Sequence, residues 1–113
     1  MKHPFRKKWG QNFLRDPNIT RKIISCLKLG KNDVILEIGP GDGALTDNMH
    51  EKVHHIHAVE IDPLLIANLT EKAYSNVSLY EADILKWNFS ILPDSIKIIG
   101  NLPYYISSPI FFR

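Results

Sequence analysis

The chain has 113 residues, 44% hydrophobic and 23% charged, with a formal net charge of +2. That length suits one small domain, and no apolar run approaches the roughly 20 residues needed to cross a bilayer. The charged N-terminus lacks the apolar centre of a signal peptide, and the single cysteine, Cys26, excludes an internal disulfide, so we expect a cytoplasmic protein.

Residues 1–15 are predicted to form an extended basic arm. Residues 1–31 hold nine Lys or Arg and one acid, net +8, whereas residues 32–113 hold five and eleven, net −6. A basic segment on an acidic body favours a polyanionic partner. Aromatic residues alternate with the basic residues of the arm, as in segments that bind nucleic acid. The alternative for the arm is a solvated, disordered tail.

A helix is predicted after the arm, with Asp16 as its N-cap, Pro17 at its first position and Gly30 closing it. Cys26 falls on the apolar pattern of this helix and is predicted to be a buried, inert thiol. The later elements alternate between strands and helices. They are a strand at 34–38, a glycine-rich turn at 39–43, a helix from Ala44 to about His50, a strand at 57–60, a helix from Asp62-Pro63 to about Tyr74, and strands at 77–80 and 96–100.

This alternation predicts an α/β fold with a mostly parallel sheet and crossover helices. The sequence ends at Arg113, where another helix should begin. We interpret that ending as a truncation after about the fourth strand.

The glycine-rich turn follows the first strand directly. Gly39, Gly41 and Ala44 fit the G-x-G-x-x-A pattern of dinucleotide sites, in which glycines let a ligand approach the backbone. The helix that follows favours a negative group at its N-terminus. Gly39 and Gly41 are therefore candidate cofactor-binding residues, and a tight turn without a ligand is the alternative.

Two acidic residues follow the second strand. Glu60 lies about 20 residues beyond the glycines, where an acid can accept both hydroxyls of a ribose. An exposed acid at a strand end is the alternative for Glu60. Asp62 precedes Pro63, so its expected role is that of a helix N-cap.

Asp83 follows the third strand. Its carboxylate could accept the amino group of an adenine lying between Ile61 and Ile84. A turn or helix-cap Asp is an equally good interpretation when Asp83 is judged alone. The carboxyl ends of parallel strands share one edge, so the glycine turn, Glu60 and Asp83 are predicted to form one nucleoside site there.

Asn101-Leu102-Pro103-Tyr104 follows the fourth strand at the same predicted edge. The Asn101 carboxamide and a backbone carbonyl fixed by Pro103 can both accept hydrogen bonds from an exocyclic amine. Tyr104 offers a flat face on which a base can stack. We interpret this segment as a clamp for the amino group of adenine, cytosine or a glutamine amide.

Three histidines, His54, His55 and His57, raise the question of a metal site. No nearby cysteine or further acid completes a usual ligand set, so we expect a surface cluster and no metal.

With these motifs in place, the sequence resembles the S-adenosylmethionine-dependent ribosomal RNA adenine N6-dimethyltransferases, most closely the bacterial small-subunit (16S) branch. Leu102 and Gly10 favour that branch over the large-subunit, resistance-conferring one. The matching segments occur in the order of the family and cover nearly the whole chain. They are Gly10 to Leu14 (GQNFL), Glu37 to Thr46 (EIGPGDGALT), Val59 to Asp62 (VEID), Glu81 to Asp83 (EAD) and Asn101 to Pro109 (NLPYYISSP).

The resemblance implies a Rossmann-like methyltransferase fold and S-adenosylmethionine as cofactor. Asn12 and Leu14 would close over the cofactor, and Gly39 would face its methionine part. Glu60 would hold the ribose and Asp83 the adenine of the cofactor.

The resemblance also implies that Asn101 contacts the reacting region and that Tyr104 stacks on the target adenine. Arg6, Lys7 and Lys8 would touch phosphates of ribosomal RNA. The reaction implied is dimethylation of two neighbouring adenines in a hairpin loop, late in assembly of the small subunit. We expect the protein to be a monomer.

The family continues with further strands and a helical C-terminal domain. We therefore expect an arm at 1–15 and the N-terminal part of a catalytic domain at 16–113, with little or no activity for this chain alone. Three alternatives stay open: a nicotinamide-dependent oxidoreductase, a non-enzymatic RNA-binding or ribosome assembly factor, and methylation of a protein glutamine or of DNA adenine.

Overall fold

A computed structural model of the chain describes residues 16–100. Within them lies one parallel sheet of four strands, in the spatial order β3-β2-β1-β4. The strands are β1 (Val34–Ile38), β2 (His55–Glu60), β3 (Val77–Glu81) and β4 (Lys97–Gly100). The parallel α/β sheet expected from the alternating pattern is therefore confirmed.

Three α-helices join or precede these strands, and short 3-10 turns supplement them. The helices are α1 (Pro17–Leu27), α2 (Ala44–Met49) and α3 (Pro63–Glu71), and the 3-10 turns are His50–Lys52, Ile84–Lys86 and Phe89–Ile91. Asp16 caps α1 by accepting a hydrogen bond from the Asn18 N–H at 2.9 Å, as predicted. Asp62 caps α3 in the same way, with the Leu64 N–H at 2.9 Å.

Both faces of the sheet are covered, as a parallel sheet requires. On one face, Ile24 of α1 and Leu45 and Met49 of α2 pack on buried strand residues such as Ile35 and Ile56. On the other face, the segment between β3 and β4 packs on a second buried group. That group is Leu36, Ile38, Val59 and Ile84, with Tyr80, Trp87, Phe89 and Leu92 against it.

Several predicted boundaries and one predicted burial are wrong. α1 ends at Leu27 because Lys28 takes a left-handed conformation, with φ of 51°, and caps the helix; Gly30 does not close it. β2 begins two residues before the predicted start, and α3 ends at Glu71 instead of near Tyr74. Cys26 is exposed, because the inward face of α1 is carried by Thr20 and Ile24.

A lysine from the last described strand closes the end of α1. The Lys97 Nζ donates to the backbone oxygens of Leu27, at 3.1 Å, and Lys28, at 2.9 Å. It also pairs with the Asp33 carboxylate at 2.9 Å. The hydrogen bond from Lys97, followed by one from the Gly30 N–H, holds the pKa of Asp33 below its ordinary value. Between residues 16 and 100, no helix is long and apolar enough to cross a membrane.

Candidate functional site

The carboxyl ends of the four strands meet at one edge of the sheet. In the strand register, Ile38 at the end of β1 pairs with both Val59 and Gly100, and Glu60 pairs with Glu81. The glycine turn, Glu60 and Asp83 therefore lie along the same edge, as the sequence predicts.

The turn between β1 and α2, residues 39–43, is called the glycine loop below. Gly39, Gly41 and Gly43 have φ values of 67°, 62° and 91°, in the left-handed region that favours glycine. The Gly39 N–H donates to the Val59 oxygen at 2.8 Å, which carries the end of β1 alongside β2. The Gly43 N–H donates to the Pro40 oxygen at 3.0 Å and tightens the turn.

Glu60 ties the glycine loop to the end of β2. Its side chain is only 5% exposed. One carboxylate oxygen accepts the Gly41 N–H at 3.1 Å, and the other accepts the Asp62 N–H at 2.9 Å. Since a carboxylate has about four acceptor positions, these two bonds leave capacity for two hydroxyl donors.

Asp83 lies beside Glu60, because the Ala82 N–H donates to the Glu60 oxygen at 3.0 Å. The Asp83 carboxylate caps the following 3-10 turn by accepting the Leu85 N–H at 3.0 Å. The cap interpretation of Asp83 is therefore confirmed, and one accepted N–H leaves its other acceptor positions for a ligand amine.

The two isoleucines predicted to flank an adenine differ in exposure. Ile61 is 53% exposed at the end of β2 and presents an apolar surface at the edge. Ile84 is 7% exposed and packs in the second core, against residues such as Leu36 and Val59. Ile61 can therefore offer an open apolar surface to a flat ligand, whereas Ile84 is almost fully buried in the core and offers little surface.

Glu37 is a site-adjacent acid to which the sequence analysis assigned no role. It is fully buried in β1, and the Thr46 hydroxyl donates to one carboxylate oxygen. The other oxygen has no hydrogen-bond partner within the described residues. Burial raises the pKa of Glu37 from 4.5 to about 7; the charges of Asp47 and Glu60 add to this, and the Thr46 hydrogen bond opposes it. The sequence did hold a signal for this buried acid, because Glu37 is a carboxylate inside an otherwise apolar strand.

A second feature missed by the sequence analysis lies behind the glycine loop. Lys72 and Tyr74, which follow α3, both reach the residues around the start of α2. Nothing in the sequence pattern links these positions, because the contacts span 25 to 30 residues.

His55 and His57 lie on one face of β2, with ring centroids 4.7 Å apart. A His55 ring nitrogen lies 2.7 Å from the Ser78 hydroxyl, and a His57 ring nitrogen lies 3.0 Å from the Tyr80 hydroxyl. Burial lowers the pKa of both histidines, and the neighbouring histidine adds to the effect. Over residues 16–100, no group of three or more His, Cys, Asp or Glu is placed to hold a metal ion.

The remaining predicted site residues lie outside the described part of the chain. They are Arg6, Lys7, Lys8, Asn12, Leu14, Asn101, Pro103 and Tyr104.

Comparison with known proteins gives a consistent result. The sequence model of the family described as ribosomal RNA adenine dimethylase matches residues 2–113. A ribosomal RNA small subunit methyltransferase A from Aromatoleum aromaticum is 48% identical, over 98% of this chain and 42% of its own length. The protein of the same name from Nitrosospira multiformis is 41% identical, over 100% of this chain and 44% of its own length. The chain thus spans less than half the length of these relatives.

Solved structures with a similar fold come from related enzymes. A dimethyladenosine transferase from Plasmodium falciparum matches with a TM-score of 0.74 and 34% identity, over 86% of this chain and 36% of that one. The 23S rRNA methyltransferase ErmE matches with a TM-score of 0.75 and 32% identity, over 88% of this chain and 41% of that one. The fold is therefore the expected Rossmann-like methyltransferase fold, and the chain belongs to the ribosomal RNA adenine dimethylase family.

Proposed function

We propose that this chain binds S-adenosylmethionine and takes part in transferring its methyl groups to N6 of two adjacent adenines in a hairpin loop of small-subunit ribosomal RNA. The observation that carries the proposal is the pairing of Glu60 with the glycine loop, through the 3.1 Å bond from the Gly41 N–H. That bond joins a buried carboxylate to a glycine turn, and the bond from the Ala82 N–H to the Glu60 oxygen brings Asp83 to the same sheet edge. Such an edge is where open α/β folds bind nucleosides.

The described residues fit the cofactor chemically. Glu60 keeps two acceptor positions for the ribose hydroxyls, and Asp83 keeps acceptor positions for the adenine amino group. Ile61 supplies an exposed apolar surface for the adenine ring. Gly39 and Gly41, both with left-handed φ, leave the loop backbone open to a ligand. In the same proposal Asn12 and Leu14 cover the cofactor.

S-adenosylmethionine supplies a methyl group on a positively charged sulfur. The adenine amine is a weak nucleophile, because its lone pair is delocalised into the ring. Asn101 and the Pro103 carbonyl accept hydrogen bonds from this amine and orient its lone pair, and Tyr104 stacks on the base. The contribution of the chain is then positioning and electrostatics, and the target base leaves its stack to enter the pocket.

The arm is the proposed contact with ribosomal RNA. Arg6, Lys7 and Lys8 pair with phosphates, and this binding weakens as salt concentration rises. We propose the division into an arm at 1–15 and a cofactor-binding unit at 16–113, acting as a monomer in the cytoplasm on a precursor of the small subunit. Turnover by the 113-residue chain alone is expected to be low or absent, so cofactor binding is the decisive measurement.

Calorimetric titration with S-adenosylmethionine tests the proposal, with NADH as the competing nucleotide. We expect saturable binding of S-adenosylmethionine alone. Asp83→Ala should weaken it about tenfold, the effect of one lost hydrogen bond to a charged group. Asp94→Ala, which removes an exposed acid between β3 and β4, is the matched control and should leave binding unchanged. Binding of NADH, or no binding by a chain shown to be folded, contradicts the proposal.

A further inference from the structure

The glycine loop is held from behind by a lysine that follows α3. The Lys72 Nζ donates to the backbone oxygen of Asp42, inside the loop, at 3.0 Å. The same ammonium pairs with the Asp47 carboxylate, at 2.9 and 3.2 Å from its two oxygens. One cation therefore connects the loop to the first turns of α2.

A tyrosine adds a second contact at the same place. The Tyr74 hydroxyl donates to the Asp47 carboxylate. Burial raises the pKa of Tyr74 above its ordinary value, and the hydrogen bond to Asp47 adds to the effect, so the hydroxyl keeps its proton at neutral pH. The Asp47 N–H donates to the Gly43 oxygen at 2.7 Å. Asp47 therefore connects Lys72 and Tyr74 to the last residue of the glycine loop.

The fit between these side chains and the loop is close. A Cβ added at Gly43 would lie 2.9 Å from the Tyr74 hydroxyl and 3.1 Å from the Lys72 Nζ. Lys72 and Tyr74 therefore leave no room for a side chain at Gly43, and the loop cannot move away from Lys72 without losing the hydrogen bond to the Asp42 oxygen.

The backbone between these two side chains is strained. Ala73 has a φ of 53°, a left-handed conformation that residues with a Cβ rarely adopt. The left-handed residue ends α3 and directs Lys72 and Tyr74 to the same cluster. The contacts of Lys72 and Tyr74, on either side of Ala73, hold the backbone in this unfavourable conformation.

We propose that residues 72–74, called the brace, fix the glycine loop in its cofactor-binding conformation, so that Lys72 and Tyr74 are positioning residues for S-adenosylmethionine. This inference rests on the proposed function of the site. It extends that function to two side chains that follow α3 and hold the loop from behind, through Asp42 and Asp47.

The simpler alternative is a surface ion pair without functional effect. The Lys72 and Asp47 side chains are 34% and 47% exposed, so solvent screens the pair and their mutual attraction alone is weak. The bond from Lys72 to the Asp42 oxygen distinguishes the two cases, because it restrains the loop backbone itself.

The first test is calorimetric titration of the 113-residue chain with S-adenosylmethionine. Lys72→Met and Tyr74→Phe should each weaken binding, the lysine change by about tenfold, as for one lost charge-assisted hydrogen bond. Lys72→Arg should restore most of the loss, because it returns the cation and donors. Lys52→Met and Tyr80→Phe are matched controls away from the loop and should bind like the parent chain. Equal binding by Lys72→Met and Lys52→Met overturns the proposal.

The second test follows the loop without any ligand, by amide hydrogen exchange. Lys72→Met should speed exchange at the Gly43 and Asp47 amides about tenfold relative to Lys52→Met, with Ile35 and Ile56 amides unchanged. Unchanged exchange at Gly43 and Asp47 means that the brace does not hold the loop, whatever the titration gives. If the parent chain fails to bind S-adenosylmethionine, the proposed function fails. The exchange result still decides whether the brace restrains the glycine loop. Faster exchange with unaltered binding overturns the link to the cofactor.

Discussion

The buried carboxyl of Glu37 should make the stability of the fold depend on pH. Its pKa is raised from 4.5 to about 7 in the folded chain, so the folded state holds this proton more tightly than the unfolded state. The stabilisation is fully present below pH 4.5 and is lost as pH rises through 7. At about 1.4 kcal/mol per pKa unit, the total loss is about 3 kcal/mol. Between pH 5 and 8 the expected share of that loss is about 2–3 kcal/mol.

Urea unfolding of the parent chain and of Glu37→Gln at pH 5 and 8 measures this effect. The free energy of unfolding of the parent should fall by about 2–3 kcal/mol more than that of Glu37→Gln over this range. The lowered pKa values of His55 and His57 have the opposite effect, because the fold loses stability as pH falls and these histidines become protonated. Both proteins contain the two histidines, so this effect cancels in the difference. Glu81→Gln, at an exposed position, should behave like the parent. Parallel pH dependence in the parent and Glu37→Gln would refute the reasoning.

Three further changes test the packing around the site. Lys97→Met removes one donor to Asp33 and the donor to the Leu27 and Lys28 carbonyls, and it should lower the free energy of unfolding measured in urea, whereas Lys86→Met, at an exposed position, should change it little. Gly43→Ala meets Tyr74 and Leu69 atoms at 2.9 and 3.0 Å and a φ of 91°, so it should lower the melting temperature and weaken S-adenosylmethionine binding together; normal binding would contradict the close fit of the loop. Leu69→Ala empties a fully buried position and should cost about 2–5 kcal/mol in the same urea assay, with a value near zero arguing against its burial.

Local sequence patterns were sufficient to predict the sheet and the edge at which the candidate site residues meet. Val34 to Ile38 is an apolar run bounded by polar residues and glycine, and it forms β1 at the predicted residues. Asp16 and Asp62 each precede a proline, and these two adjacent residues are enough to predict where each helix begins. Glu60 reached the edge because its spacing from the glycines sets it at the end of the next parallel strand.

The missed features depend on residues far apart in the chain. Lys28 ends α1 before Gly30, and the Lys97 ammonium that donates to the Lys28 carbonyl oxygen comes from β4. Cys26 fits the helical pattern as well as Ile24 does, and only docking on the sheet decides which one is buried. The contact of Lys72 with Asp42 has no local signal at all, since a lysine after a helix is ordinarily solvated.

The closure of α1 by Lys97 also sets an order of events during synthesis. The carbonyls of Leu27 and Lys28 receive their donor from a residue 69 to 70 positions later. At about 5–20 residues per second, translation delivers that donor roughly 4–14 s after the helix itself. β4 then adds to the edge of the described sheet, beside β1, which was made long before it. On the ribosome, the end of α1 therefore lacks this donor until β4 has emerged, and the four described strands can all pair only after that.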